Sequence, residues 1–372
     1  MPTWKDIKHW LHHPSPQWLM IAGAIVAIII TAGMIWYVLS WRPQHQPVVV
    51  AKPLQPNTVT KNISKKDTQP ITEPSIVSRR LDGLLVARSD ANTVPGCVMI
   101  ENAAFGGVRP QSGLGAASLV YEIIVEGGIT RLMAVYAGEQ TATIGPVRSA
   151  RDTYIEFASE LQCAYAHAGG SYTALLALQN FQMRDLDGLR EPTWFWRDPG
   201  KFAPHNLFTS SEKLYQAIIE GHSWTEPPTY DSWKFVEAVT ASTTATEVNV
   251  YFGGAYDVRY TYQADKKYYE RYNGGELQHD ATTSEILSTR NIVIQQVPAG
   301  WYVEGKGRIN FSVTGEGKAY VFREGTLTEG IWRKPDRLAR TTFYNSAGNA
   351  IEFVRGNTWV EIVPVDRTFD WK

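Results

Sequence analysis

The feature that most constrains this chain is the run from Trp18 to Ser40, WLMIAGAIVAIIITAGMIWYVLS, 23 residues without one acidic or basic residue. At about 1.5 Å per residue a helix of that length crosses the roughly 30 Å hydrocarbon core of a bilayer and satisfies its own backbone hydrogen bonds there. Trp18 stands at one end and Trp36, Tyr37 and Trp41 at the other, where amphipathic rings favour the membrane interfaces. A cleaved signal peptide would have a shorter apolar core ending in small residues. A lipidated anchor would need a cysteine directly after the run, and the only cysteines are Cys97 and Cys163. The sequence therefore predicts a cytoplasmic stub at 1–17 and a single span at 18–40. Lysine and arginine are balanced about the span, Lys5 and Lys8 against Arg42 and Lys52, so orientation rests on the short stub and large C-terminal body, which place the body outside the cytoplasm.

Residues 41–80 read as a disordered, Pro-rich tether. Pro43, Pro47, Pro53, Pro56, Pro70 and Pro74 interrupt any regular element, and no apolar period appears. This segment carries seven Lys/Arg against two Asp/Glu, whereas the chain from 81 onward carries 27 against 34. A basic stalk under an acidic body would lie against anionic lipid or wall polymer, or act as a solvated linker. No nucleic-acid partner is expected.

The remainder is long enough for two cores, and its texture changes near 225–245. In 81–228, strand-like runs (CVMIEN, LVYEIIV, TRLMAVYA, AYAHA) alternate with helical ones. ARDTYIEFASEL sets Tyr154, Phe157, Ala158 and Leu161 at helical spacing, and YTALLALQNF and SEKLYQAIIEG follow. Gly127 and Gly128 mark a hairpin turn. From 229 to 372 the signals are almost all short strands with Gly- and Asn-rich turns, which predicts an antiparallel meander or barrel. The expected fold class is α+β: a membrane-spanning helix, an α/β layered domain, then a mainly antiparallel β domain. Cys97 and Cys163 open apolar runs and read as buried thiols, with one bridge between neighbouring strands as the alternative. Tyr256, Tyr260, Tyr262, Tyr268, Tyr269 and Tyr272 would serve cross-strand packing or a stacking platform for sugars.

Candidate chemistry concentrates between Arg109 and Asn206. Arg109, Arg131, Arg148 and Arg151 fall close together, the last two flanking Ser149 and Ala150 at a helix start, where guanidinium forks and unpaired N–H groups would face an anion. Asp152 would hold a divalent metal such as Mg2+, bridging to phosphate. The competing reading pairs these arginines with Glu122, Glu126, Asp152 and Glu156. His167 follows a strand end and His205 lies in a loop, near Asp185, Asp187 and Asp198, and Asn206 follows His205. They would serve a metal or general base, or be hydrogen-bonded structural residues. No standard catalytic signature is present.

At these residues the sequence resembles the YerB-like lipoprotein family, bacterial domains of unknown function. The resemblance rests on RPQSGLGAASLVYEIIVEGGITRLMAVYAG, IGPVRSARD, HAGGS, FWRD, APHNLFTS and NTWVEIVPV, and covers roughly 81–365. It implies an N-terminal domain joined to a smaller C-terminal one on the outer face of the cytoplasmic membrane, and supplies no reaction. A weaker similarity is to the LytR–CpsA–Psr phosphotransferases of wall assembly. It would make Arg148 and Arg151 grip a polyprenyl pyrophosphate and Asp152 help hold magnesium. The reading that follows is a membrane-anchored extracytoplasmic envelope protein binding an anionic wall or lipid-linked ligand. Its alternatives are a phosphotransferase on polyprenyl-pyrophosphate-linked glycan and a structural or protein-binding envelope component.

Overall fold

The first-half strands are mostly apolar because both faces of their sheet are covered. β1 (Gly96–Glu101), β2 (Leu119–Ile124) and β3 (Thr130–Tyr136) are buried at every position. The computed structural model describes residues 75–239, 243–303, 305 and 307–372. The remaining main elements are α1 (Asp152–Leu161), β4 (Ala164–His167), α2 (Tyr172–Asn180), β5 (Arg184–Asp187), α3 (Ser211–Gln216), β6 (Glu247–Tyr251), β7 (Val258–Gln263), β8 (Tyr268–Asn273), β9 (Asn291–Val297), β10 (Trp301–Tyr302), β11 (Ile309–Asn310), β12 (Gly315–Arg323), β13 (Thr326–Lys334), β14 (Thr342–Asn345), β15 (Thr358–Pro364) and β16 (Thr368–Trp371).

One 11-stranded sheet organises them, in the order β13, β12, β9, β15, β2, β3, β1, β4, β5, with Thr243–Thr244 and β14 both pairing β13. α1 lays Tyr154, Phe157, Ala158 and Leu161 onto Met99, Tyr121, Met133 and Val135 of one face. Gln162 ends this helix in the left-handed conformation, and Ser171 caps α2 by accepting from the Ala174 N–H at 3.2 Å. The opposite face is covered by α3 and by a second, antiparallel sheet in which β8, β7, β6 and β16 are consecutive. Val248, Val250, Val258, Tyr260 and Tyr269 of that sheet pack with Val120, Ile292, Ile294 and Trp359 of the first.

The predominance of strand follows the sequence reading, but the pairing does not. β9 and β15 run parallel to each other, and β15 runs parallel to β2, so the second half is no self-contained antiparallel meander or barrel. The physical reason is burial: β15 is covered at all seven positions and cannot face water on either side. Strands from either side of the expected 228/229 boundary thus share one sheet. Ile76–Ser78 pairs with Leu85–Ala87, and buried Arg79 donates from Nε to Asp82 and from Nη1 to the Ala137 carbonyl at 2.7 Å, so residues 75–80 of the expected tether belong to the folded body. The rest of the tether, the stub at 1–17 and the span at 18–40 lie outside the described residues. Among the described residues no helix is long and apolar enough to cross a membrane.

The default of two buried thiols is corrected. Cys97 on β1 and Cys163, just before β4, form a disulfide across adjacent parallel strands with Cα atoms 5.9 Å apart. Strand adjacency, which a separation of 66 positions conceals in the sequence, brings them together. The clustered tyrosines are mostly used in packing. Tyr260 and Tyr269 are buried, Tyr262 and Tyr269 have ring centroids 5.0 Å apart, and the Arg259 guanidinium lies 4.1 Å from the Tyr272 ring centre.

A buried polar hub joins the two sheets. Arg271 of β8 pairs with Glu122 of β2 and donates from Nε to the Tyr260 hydroxyl at 3.1 Å, and that hydroxyl lies 2.5 Å from Oε1 of Glu361 on β15. Glu361 and Glu122 are register partners on adjacent parallel strands, both fully buried, and Oε2 of Glu361 has no donor beside it. Burial, with the neighbouring Glu122 charge second, pushes the Glu361 carboxyl up to about 8, so it is protonated at neutral pH. A carboxyl raised from 4.5 to about 8 in the folded state contributes its full stability below 4.5 and loses it as pH rises toward 8, because unfolding then releases a proton. Glu361→Gln should remove that dependence. Its melting temperature relative to the native protein should rise between pH 5 and pH 8, by the equivalent of about a few kcal/mol, and a gap that stays constant across that range would refute the assignment.

Candidate functional site

The arginine-bearing segment 144–150 is held as an extra edge at the ends of the parallel strands. Val147 bridges Ile100 and Ala150 bridges Gly170. The Arg148 N–H donates to Met99 and the Ala150 N–H to Gly169, both at 2.8 Å, so these backbone donors are already used. Strand ends of this kind, opening into loops on a rigid scaffold, are where α/β folds build binding sites.

Three guanidiniums converge there. Arg131, at the start of β3, donates from Nη1 to the Ser149 carbonyl at 3.1 Å and reaches Glu126 at 3.8 Å, while its buried Nε has no partner. Burial, reinforced by Arg151 and outweighing Glu126, lowers its pKa to about 10. Arg151 forks onto Glu126, with Nε to Oε2 at 2.8 Å, and donates from Nη1 to Ala150. Arg148 places Nε 3.1 Å from Oε1 of Glu101, close enough for an ion pair but not aligned as a hydrogen bond, and its side chain is 22% exposed. His205 donates from Nδ1 to the other oxygen of Glu101 at 2.8 Å. Three guanidinium charges thus face two carboxylates.

The other candidate residues separate. Arg109 binds Asn102, through Nε to Oδ1 at 3.0 Å, and the Ala255 carbonyl, with its guanidinium 5.1 Å from the Tyr256 ring centre, and so continues the buried hub. Asn206 accepts from Arg197 at 2.7 Å and braces its own loop through the Lys201 carbonyl. Asp152, first residue of α1, accepts from Ser171 and Thr173 at 3.1 and 2.9 Å. Among the described residues no group of three or more His, Cys, Asp or Glu is placed to hold a metal ion. Buried His167 donates from Nδ1 to Gly169 at 2.8 Å and meets Asp185 through Nε2 at 2.6 Å, and Arg190 pairs with Asp185 and Asp187. Burial would raise the Asp185 carboxyl, but His167 and Arg190 hold it below its ordinary value. Glu101 escaped the sequence reading. Its only signal was a charged residue closing the apolar run CVMI. A cavity of about 350 Å³ lined by Ser89, Asp90, Tyr136, Glu139, Ser211 and Tyr215 lies at the opposite ends of β1 and β3, away from the arginines.

Residues 81–224 match the N-terminal domain, and residues 248–360 the C-terminal domain, of a protein family of unknown function, DUF3048. The chain belongs to this family. It is 28% identical over 306 residues to "Putative lipoprotein YerB" of Bacillus subtilis (strain 168), spanning 81% of this chain and 90% of that protein. It is also similar to the crystal structure of the YerB protein from Bacillus subtilis, with a TM-score of 0.71 at 27% identity, covering 79% of this chain and 99% of that one. The YerB-like resemblance in the motifs is therefore a family relationship.

Burial would raise the Glu126 carboxyl, but the hydrogen bond from Arg151 and the Arg131 charge outweigh it and hold the carboxyl at about 2 against an ordinary 4.5. Its contribution to stability is present above 4.5 and lost as pH falls through 2. Glu126→Gln should melt below the native protein at pH 7, and the two melting curves should converge as pH approaches 2. Parallel curves down to pH 2 would show that the pair does not stabilise the fold.

Proposed function

We propose that this protein is an extracytoplasmic envelope protein, anchored through residues 18–40, whose Arg131, Arg148 and Arg151 cluster receives an anionic, phosphate-bearing group of a wall or lipid-linked ligand. The observation that carries the binding reading is the unpartnered Nε of Arg131, on a side chain only 6% exposed and beside two further guanidiniums. A buried donor without an acceptor costs about 1–3 kcal/mol, a penalty that an entering anion would relieve. Arg148 supports it, because a misaligned, half-buried ion pair can be redirected to a ligand at little cost. Arg151, already forked onto Glu126, would position the site more than bind in it.

Two observations support the address. The B. subtilis relative is named as a lipoprotein, and the Cys97–Cys163 disulfide suits an oxidising compartment. Full-length protein denatured directly from cells should resist a thiol-reactive polyethylene-glycol maleimide until it is reduced, and then gain two labels. Immediate double labelling would argue for a reducing compartment.

For the site, calorimetric titration of the full chain with pyrophosphate should show binding that Arg148→Ala weakens by roughly 10 to 150-fold, the loss of a charge-assisted contact worth about 1.5–3 kcal/mol. Arg148→Lys should recover only part, because an ammonium keeps the charge without the fork. Unchanged affinity in Arg148→Ala alongside a lowered melting temperature would make this arginine a structural ion pair.

A further inference from the structure

The same end of the sheet carries a second feature, and its use rests on the anion-binding reading above. A cavity of about 260 Å³ is lined by Ile124, Trp301, Tyr302, Phe311, Asp366 and Arg367. Trp301 and Tyr302 are 47% and 77% exposed, more than packing requires of two adjacent large rings.

The elements that line this cavity are tied to those that carry the arginines. Trp301 of β10 is the register partner of Asn310 of β11, and Asn310 accepts from the Thr153 hydroxyl at 2.8 Å. The same hydroxyl accepts from the Phe311 N–H at 3.2 Å. Thr153 is two residues beyond Arg151 in the first turn of α1. On the other wall, Ile124 is the register partner of Thr130, the residue before Arg131. The strand order sets β15, β2, β3 and β1 side by side. Pro364 at the cavity and Glu101 at Arg148 therefore stand three strand spacings apart, roughly 15 Å at about 4.8 Å each.

We propose that the ligand of this site is a phosphorylated glycan of at least two sugar units, with its phosphate at Arg131 and Arg148 and a sugar ring stacked on Trp301 or Tyr302. The amphipathic faces of sugar rings suit aromatic faces, and Asp366 and Arg367 supply the planar acceptor and donor groups that hydroxyls bind. The cavity has room for one ring and carries the charges of Asp366 and Arg367 in its lining, which disfavours an acyl chain.

The test titrates the full-length protein, held in phosphatidylcholine nanodiscs, with inorganic phosphate, chitobiose, chitobiose 1-phosphate and vesicles containing phosphatidylglycerol. Chitobiose 1-phosphate should bind at least ten-fold tighter than phosphate. Trp301→Ala should abolish that advantage without changing phosphate affinity, Trp301→Phe should retain part of it, and Arg148→Ala should weaken both phosphate compounds by a similar factor. Equal affinity for phosphate and chitobiose 1-phosphate, or a Trp301→Ala variant that binds both as the native protein does, overturns the glycan assignment while leaving the anion site standing. Absence of binding by either phosphate compound removes the anion site itself. Vesicles binding tighter than chitobiose 1-phosphate, with the Trp301→Ala loss falling on the vesicles, would overturn the glycan in favour of a lipid surface.

Discussion

The ion pair between Glu122 and Arg271 is the interaction on which the arrangement of the two sheets depends. Both side chains are buried, and they come from opposite layers of the core. Such a pair gives little net stability over an apolar replacement, but losing one partner leaves an uncompensated buried charge, at about 3–5 kcal/mol. The geometry therefore admits one docking of β8 against β2. The hub reaches further than the pair. Gln278 accepts from Arg271 and donates to Gln111 at 3.2 Å, Gln111 donates to Asn102 at 2.8 Å, and Asn102 also donates to Glu122 at 3.1 Å. Asn102 directly follows Glu101, so the carboxylate that holds Arg148 and His205 is fixed to the centre of the protein. A second hub acts similarly on the other face, where buried Glu160 of α1 meets Lys334 at 3.0 Å and Arg340 at 2.6 Å.

At the site, pairing and binding compete for the same guanidiniums. The fork between Arg151 and Glu126 is well aligned and largely buried, so a ligand would have to offer an equal fork to displace it. Arg148 and Arg131 meet their carboxylates at poorer geometry, 3.1 Å without alignment and 3.8 Å respectively. This division assigns the three arginines unequal work. One is held by its carboxylate, and two retain unspent hydrogen-bonding capacity.

Much of the local structure was legible in the sequence. The spacing of Tyr154, Phe157, Ala158 and Leu161 gave the buried face of α1, and the Gly127-Gly128 turn joins β2 to β3 where expected. What was illegible is long-range. The seam between β15 and β2 joins segments separated by most of the chain, and nothing in either apolar run names its partner. β13 is hard to read in the sequence because Glu329 and Gly330 break its alternation. Gly330 is needed there, since a Cβ would meet the Tyr344 carbonyl of β14 at 1.9 Å. The four arginines were read as one cluster from their nearness along the chain. The fold keeps three together and sends Arg109 into the hub, because Arg109 binds Asn102, whose amide joins Glu122, whereas Arg131 binds the Ser149 carbonyl beside Arg148.

The seam from Leu119–Glu122 to Thr358–Glu361 lies between the two segments that the family matches separately, 81–224 and 248–360. Divided there, the chain would present two raw margins of mostly apolar strand, each with a row of free amides and carbonyls, blunted only by Glu122 on one and by Glu361 and the terminal Pro364 on the other. Each fragment would find its counterpart on another copy of itself more readily than in solvent. Heredity can therefore lengthen the loops of this fold freely, but it cannot shuffle one segment into a new protein without carrying the other along.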